Sequence, residues 1–323
     1  MTPGAYLEGM PVQHFSFIRL NLRNNRINAE GAKTLAGVVL CCPFLVSLDL
    51  GGSNEIGAQG ASSLSEVLGR CTLLTTLDLS HNMIGDDGAR SLGGVLAQCS
   101  MLTDLDLGFN NIGAEGATSL TRGLGRCRSL TRLNLRACVG LQFVTQLKQV
   151  GAEGANSLAG MLGQWTLLRS IHDEGATSLV RGLGHCRLLS KLNLCCNDIG
   201  PEGAGSLAGM MGQWTCLTFL DLGSNAIGAD GARSLARALG QCPSLSKLDL
   251  RENRIQSQGA RSLARVLEQG CSLTSLNLYY SDIDEHDVKF LRGLQGPSSF
   301  WHRLDIQGIW EGEGDQEYGE NAD

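Results

Sequence analysis

One phrase, L-x-x-L-x-L-x-x-N-x-I-G-x-x-G-A-x-x-L-x-x-x-L, recurs along this 323-residue chain and constrains its fold more than any other feature. A clean copy runs through Leu74, Leu77, Leu79, Asn82, Ile84, Gly85, Gly88, Ala89, Leu92 and Leu96. Copies begin at Phe17, Leu45, Leu74, Leu102, Leu130, Leu168, Leu189, Leu217, Leu245 and Leu273. Their spacings are 28, 29, 28, 28, 38, 21, 28, 28 and 28 residues. A fixed period of this length makes a stack of like units, each buried only against its neighbours. Composition agrees, since 53 leucines and 43 glycines stand against 16 aromatic residues, too few to fill one central core.

Each part of the phrase has a physical reading. The L-x-L core alternates inward and outward, as a short half-buried strand does. The Asn that follows (Asn25, Asn54, Asn82, Asn110, Asn197, Asn225, Asn253) stands where the chain leaves the strand. Its amide both donates and accepts, and so can satisfy backbone groups that the turn buries. The Ala-x-x-Leu-x-x-x-Leu spacing, as in Ala232, Leu235 and Leu239, lays one apolar stripe along a helix. Strand and helix repeated in parallel predict an α/β right-handed solenoid of about ten turns.

The phrase resembles the leucine-rich repeat of the ribonuclease-inhibitor-like subtype. Its Ile-Gly-x-x-Gly-Ala segment (Ile227, Gly228, Gly231, Ala232) is most similar to the repeats of NOD-like receptors. The resemblance implies a horseshoe with strands on the concave face and helices on the convex face. No nucleotide-binding domain is expected, because sixteen residues precede the first repeat and no Gly-Lys-Ser/Thr phosphate loop occurs.

The expected organisation is a short N-terminal segment at 1–16, a solenoid at 17–294, a C-terminal cap at 295–310 and a disordered acidic tail at 311–323. The tail holds Glu311, Glu313, Asp315, Glu317, Glu320 and Asp323 and no base, which accounts for the whole net charge of −6. A body that is neutral overall argues against nucleic acid and against an anionic membrane as partners. Without a signal peptide or spanning segment, twelve cysteines are read as structural thiols in a cytoplasmic protein. Cys42, Cys71, Cys99, Cys127, Cys186 and Cys242 share one column with Trp165 and Trp214, the mark of a packing position.

The period breaks at about 138–175. The fifth copy gains ten residues and carries Cys138 in the Asn position, whereas the sixth runs from Ile171 straight into His172, Asp173 and Glu174. Residues 116–130 match 175–189 at 12 of 15 positions, so a duplication scar is preferred to a gripping loop. The sixth turn is expected to be weakly paired.

No arrangement of His, Cys or acids has metal-ligand spacing, and no cofactor is expected. Acids at the position between the strand leucines (Asp49, Asp78, Asp106, Asp221, Asp249) read as a solvated polar face. Cations and aromatics that vary from turn to turn are more telling, since Arg and Tyr are over-represented at interface hot spots. The candidate protein-binding residues on the strand face are Arg23, His81, Phe109, Arg132, Arg136, Phe219, Arg251, Tyr279 and Tyr280. The expected function is a non-enzymatic scaffold that binds a protein partner there, with no small-molecule substrate. The alternative is a GTPase-activating protein resembling the Ran activator, suggested by similar repeats before an acidic tail.

Overall fold

The computed structural model describes residues 17–52, 54–136, 171–284, 286, 287, 289 and 291, and the backbone of 305–307. The expectations for the N-terminal segment, the break from 138 to 170 and the acidic tail lie outside the described residues, as does the cap apart from the backbone of 305–307.

Leucine alternation produces strands of three residues, and the eight described helices between them are 11 to 14 residues long. The first half comprises β1 (Arg19–Asn21), α1 (Ala29–Leu40), β2 (Ser47–Asp49), α2 (Gly57–Leu68), β3 (Thr76–Asp78), α3 (Gly85–Leu96), β4 (Asp104–Asp106), α4 (Ala114–Leu124) and β5 (Arg132–Asn134). The second comprises α5 (His172–Leu183), β6 (Lys191–Asn193), α6 (Pro201–Met211), β7 (Phe219–Asp221), α7 (Gly228–Leu239), β8 (Lys247–Asp249), α8 (Gln256–Gln269), β9 (Ser275–Asn277) and β10 (Asp305–Gln307). All ten strands pair in parallel, in chain order and in register, so that Leu48 lies beside Leu77 and Leu77 beside Leu105. Each helix packs on the next. One continuous core, from Ala32 to Leu291, fills the space between the sheet and the helices.

The Asn column holds the turns together. Asn110 is 1 % exposed; its Nδ2 donates to the carbonyls of Leu79, Leu107 and Gly108 at 2.7, 3.0 and 3.3 Å. Its Oδ1 accepts from the backbone N–H of Asn82 at 2.9 Å and of Ile84 at 3.4 Å. One amide thus satisfies groups in its own turn and in the one before. Asn54 and Asn225 do the same, and Ser281 substitutes at the matching position, its hydroxyl shared between the Leu250 and Tyr279 carbonyls at 3.3 and 3.5 Å. Asn25 is exposed, and its Nδ2 donates to the Arg23 carbonyl at 3.0 Å.

The cysteine column packs as expected, and it also bonds. The thiols of Cys127 and Cys186 donate to the carbonyls of Leu96 and Leu124 in the preceding turn, at 3.3 and 3.2 Å. Trp214 takes the same place, and its indole N–H reaches the Leu183 carbonyl at 3.1 Å. Burial pushes the Cys127 thiol up to about 12 and Cys99 up to about 11, which leaves them inert. Cys196 departs from the reading of free thiols: it is disulfide-bonded, whereas ten other described cysteines are free.

Helices begin in two ways, and one residue decides which. At α2, α3 and α7 the first residue is a glycine with φ near +63°, whose N–H reaches forward to the next turn's Asn carbonyl at 2.9 Å. Before α4 and α6 the matching glycine is extended, with φ of −96° and −92°. There the preceding helix carries an aspartate at its second position. Asp86 accepts from Gly113 and Gly116 at 2.7 and 3.1 Å, and Asp173 from Gly200 and Gly203, both at 2.7 Å. A carboxylate at a helix N-terminus meets unpaired N–H groups and the positive end of the dipole. Here each cap is supplied by the neighbouring turn.

The break is resolved differently from expectation. The sequence suggests two turns between Leu130 and Leu189, but β5 pairs directly with β6, Arg132 opposite Lys191. The fifth turn supplies the strand, the sixth supplies α5, and together they make one turn of the stack. The described residues of that joint are paired. Asn197 Nδ2 donates to the Leu135 carbonyl at 3.0 Å, and α4 packs on α5.

Replacing Asn110 by Ala orphans up to five backbone partners in two turns, which costs about 1–3 kcal/mol or more. Chemical denaturation should show a lower midpoint for Asn110→Ala than for Asn25→Ala at the exposed end. Equal midpoints would remove the column from its structural role.

Candidate protein-binding face

Strand side chains that avoid the core form columns across the sheet. The column between the strand leucines was read as solvated, and the structure corrects this. Each of these residues accepts the N–H two positions on, as Asp49 does from Gly51 at 3.0 Å and Asp221 from Gly223 at 2.9 Å. Asn134 and Asn193 make the same contact in their turns, at 3.1 and 2.9 Å. The acids are therefore turn caps set into the surface, and Asp221 is only 6 % exposed. Burial raises the Asp106 and Asp221 carboxyls above the ordinary carboxylate range.

Most of the nine candidate residues fall into three groups. Arg23, in the first turn, crosses the second to reach Asp78 in the third at 2.6 Å, passing Asp49 at 3.5 Å. Gly51 makes that crossing possible. A Cβ there would lie 2.6 Å from Asp78 Oδ1 and 2.7 Å from Arg23 Nη1.

The second group is a stack. His81 and Phe109, from adjacent turns, lie face to face with ring centroids 4.0 Å apart and an interplanar angle of 15°. The Arg136 guanidinium sits 5.3 Å from the Phe109 centroid, within cation–π range. Burial, then the charge of Arg23, hold His81 below the ordinary imidazole value, so the ring in the stack is neutral at pH 7.

The third group lies toward the C-terminal end. Arg251 pairs with Asp249 and extends to Cys195 Sγ at 3.5 Å, across Gly223. Tyr279 and Tyr280, 36 % and 55 % exposed, meet edge to face at 4.1 Å. The remaining two candidates stand apart. Arg132 pairs with Asp104, and Phe219 is half-buried in β7 between Lys191 and Lys247.

Backbone geometry adds a feature that leucine spacing does not reveal. His81, Phe109 and Tyr280 occupy one turn position at φ of 57°, 58° and 51°, a left-handed backbone that Asn24, Gly52, Cys196, Ser224 and Glu252 share in their turns. A bulky L-residue in this left-handed region costs about 1–2 kcal/mol. The position was legible in sequence as the second residue after the last strand leucine of each turn.

Two open recesses of about 330 and 280 Å³ lie on the helix side instead, lined by residues that include Arg261 and Asp287, and Arg90 and Glu115. Among the described residues no group of three or more His, Cys, Asp or Glu could hold a metal ion.

Parallel strands, one helix per turn and an Asn ladder define a solenoid. The Leucine Rich repeat family model matches residues 14–36, 41–65, 70–93, 98–120, 185–208, 215–236 and 241–264, half of the chain. The chain belongs to the leucine-rich repeat proteins. No curated protein sequence matches it. Among solved structures it is similar to leiomodin-1 actin-binding site 2, at 20 % identity and a TM-score of 0.32, over 38 % of this chain and 72 % of that one.

Asp221→Asn keeps the acceptor for Gly223 and removes a buried charge. An acid with a raised folded pKa contributes stability below its unfolded value of about 3.9 and loses it as pH rises through the folded value. Asp221→Asn is therefore expected to melt higher than the parent at pH 7, with the gap closing as pH falls toward 4. A variant that melts lower at pH 7 would show that attraction to Arg251 outweighs burial.

Proposed function

We propose that the chain is a non-enzymatic scaffold that binds a protein on its strand face, through the three groups described above. The observation that carries this reading is the set of preformed contacts on that face: His81 stacked on Phe109 beside Arg136, and Tyr279 against Tyr280. Aromatic rings and arginines already held by stacking and ion pairs lose little freedom on binding, and such preorganisation favours affinity. Within the family, the 28-residue period and a full helix in every complete turn support the ribonuclease-inhibitor-like subtype, with the strand face concave.

The GTPase-activating alternative would need an arginine free to reach a bound nucleotide. The four candidate arginines of the strand face are each engaged, Arg23, Arg132 and Arg251 by a carboxylate and Arg136 by Phe109, which favours the scaffold at those positions.

Immobilised full chain should retain protein partners that are lost when Tyr279, Tyr280 and Arg251 become alanine, and kept when Arg233 and Arg90 on the helix side do. Added to small GTPases, the chain should leave hydrolysis rates unchanged. Partner retention by the strand-face variant would move the interface elsewhere, and a rate increase of about a thousandfold would favour the alternative. Tyr280→Asn separates contact from packing: it relieves the left-handed strain and should weaken capture without lowering the melting temperature.

A further inference from the structure

In-register strands also align the loops at the two edges of the sheet, and the edges differ. The loops that lead from a helix to the next strand span 41–46, 69–75, 97–103, 125–131, 184–190, 212–218, 240–246 and 270–274. None of the eight contains an aspartate or glutamate, while they hold Arg70, Arg126, Arg128 and Arg187. All four arginines are exposed. The opposite edge holds the first turns of the helices, with Glu30, Asp86, Asp87, Glu115, Asp173, Glu174, Glu202 and Asp230, and the strand-to-helix loops, where Arg23, Arg26, Arg136, Arg251 and Arg254 stand with Glu55, Asp198 and Glu252, so acids outnumber bases there.

Helix dipoles favour acids at one end and bases at the other. They do not explain where the exposed apolar residues stand. Of the ten large hydrophobics exposed to solvent, seven are at or beside the helix-to-strand edge: Phe17, Ile18, Leu40, Phe44, Leu73, Met101 and Leu188. Phe44, Leu73, Met101 and Leu188 occupy one position of the repeat, just before the buried first leucine. Strand pairing therefore sets them in a row, about 4.8 Å apart from turn to turn where turns adjoin. Apolar side chains lead the row, and the cations follow at Arg126, Arg128 and Arg187.

We propose that this edge is a docking surface for an anionic lipid bilayer. Apolar groups that enter the headgroup boundary beside arginines, with no carboxylate in the same loops, match the chemistry of an interfacial membrane contact. The overall neutrality that argued against a membrane averages two unlike edges. The acidic edge faces away when the other docks, so charge orients the solenoid as well as attracting it. The contact is one of surface only, because among the described residues no helix is long and apolar enough to cross a membrane.

The test is co-sedimentation of the full chain with vesicles of phosphatidylcholine alone and of phosphatidylcholine with phosphatidylserine. Binding is expected only with phosphatidylserine and should fall as salt is raised. Arg126→Gln with Arg128→Gln should weaken it about 30-fold, at roughly fivefold for each charge. Leu73→Ser with Met101→Ser should also weaken it, while circular dichroism and the melting temperature stay unchanged because both residues are exposed. Absence of binding, equal binding to both vesicles, or full binding by either variant would overturn the proposal. So would light scattering that shows the same residues driving self-association of the chain without lipid.

Discussion

A buried turn must place its backbone polar groups somewhere, and in this molecule a side-chain amide receives them. Every inward turn after a strand leaves carbonyls and N–H groups that neither helix nor sheet can pair. An unpaired group of that kind costs as much as a hydrogen bond contributes. The Asn column closes these groups within a turn and between turns at once. Leucine packing provides the bulk of the stabilisation, but it is indifferent to register. The amide contacts are directional. They set one turn squarely on the next, and the straight columns on the strand face and along both edges follow from that.

Spacing alone was enough to read this part of the architecture. Leucine periodicity located strands and helices, the Asn position announced its role, and the exchange of Cys for Trp marked a buried column. The thiol-to-carbonyl bonds of that column were not legible, since they depend on the preceding turn lying within reach. The strand-face acids were misread for a related reason. A carboxylate every 28 residues looks like solvated surface until the N–H two positions on is seen to point at it. Arg23 shows a further limit. Its partner is 55 residues away, and only the missing side chain of Gly51 reveals that two turns can be spanned.

Charge carries a similar lesson about scale. Summed over the chain, acids and bases nearly cancel outside the last thirteen residues. Divided by column, they separate into an edge of helix N-termini rich in carboxylates and an edge of loops with none. The strand face is mixed, with paired ions and stacked rings. A repeat protein multiplies whatever one unit does at one position, so a preference too small to notice in a single turn becomes a stripe.

The joint between β5 and β6 has a consequence for how such a protein can change. In a solenoid an insertion inside a turn can be carried as a loop only if the rungs on either side still pair. Here Arg132 stands opposite Lys191, and the Leu135 carbonyl meets Asn197 across 62 residues, so the ladder closes over whatever chain lies between. Length at that point is released from the period. The fold has acquired a port at which sequence can be added or removed while the rungs on either side keep their register.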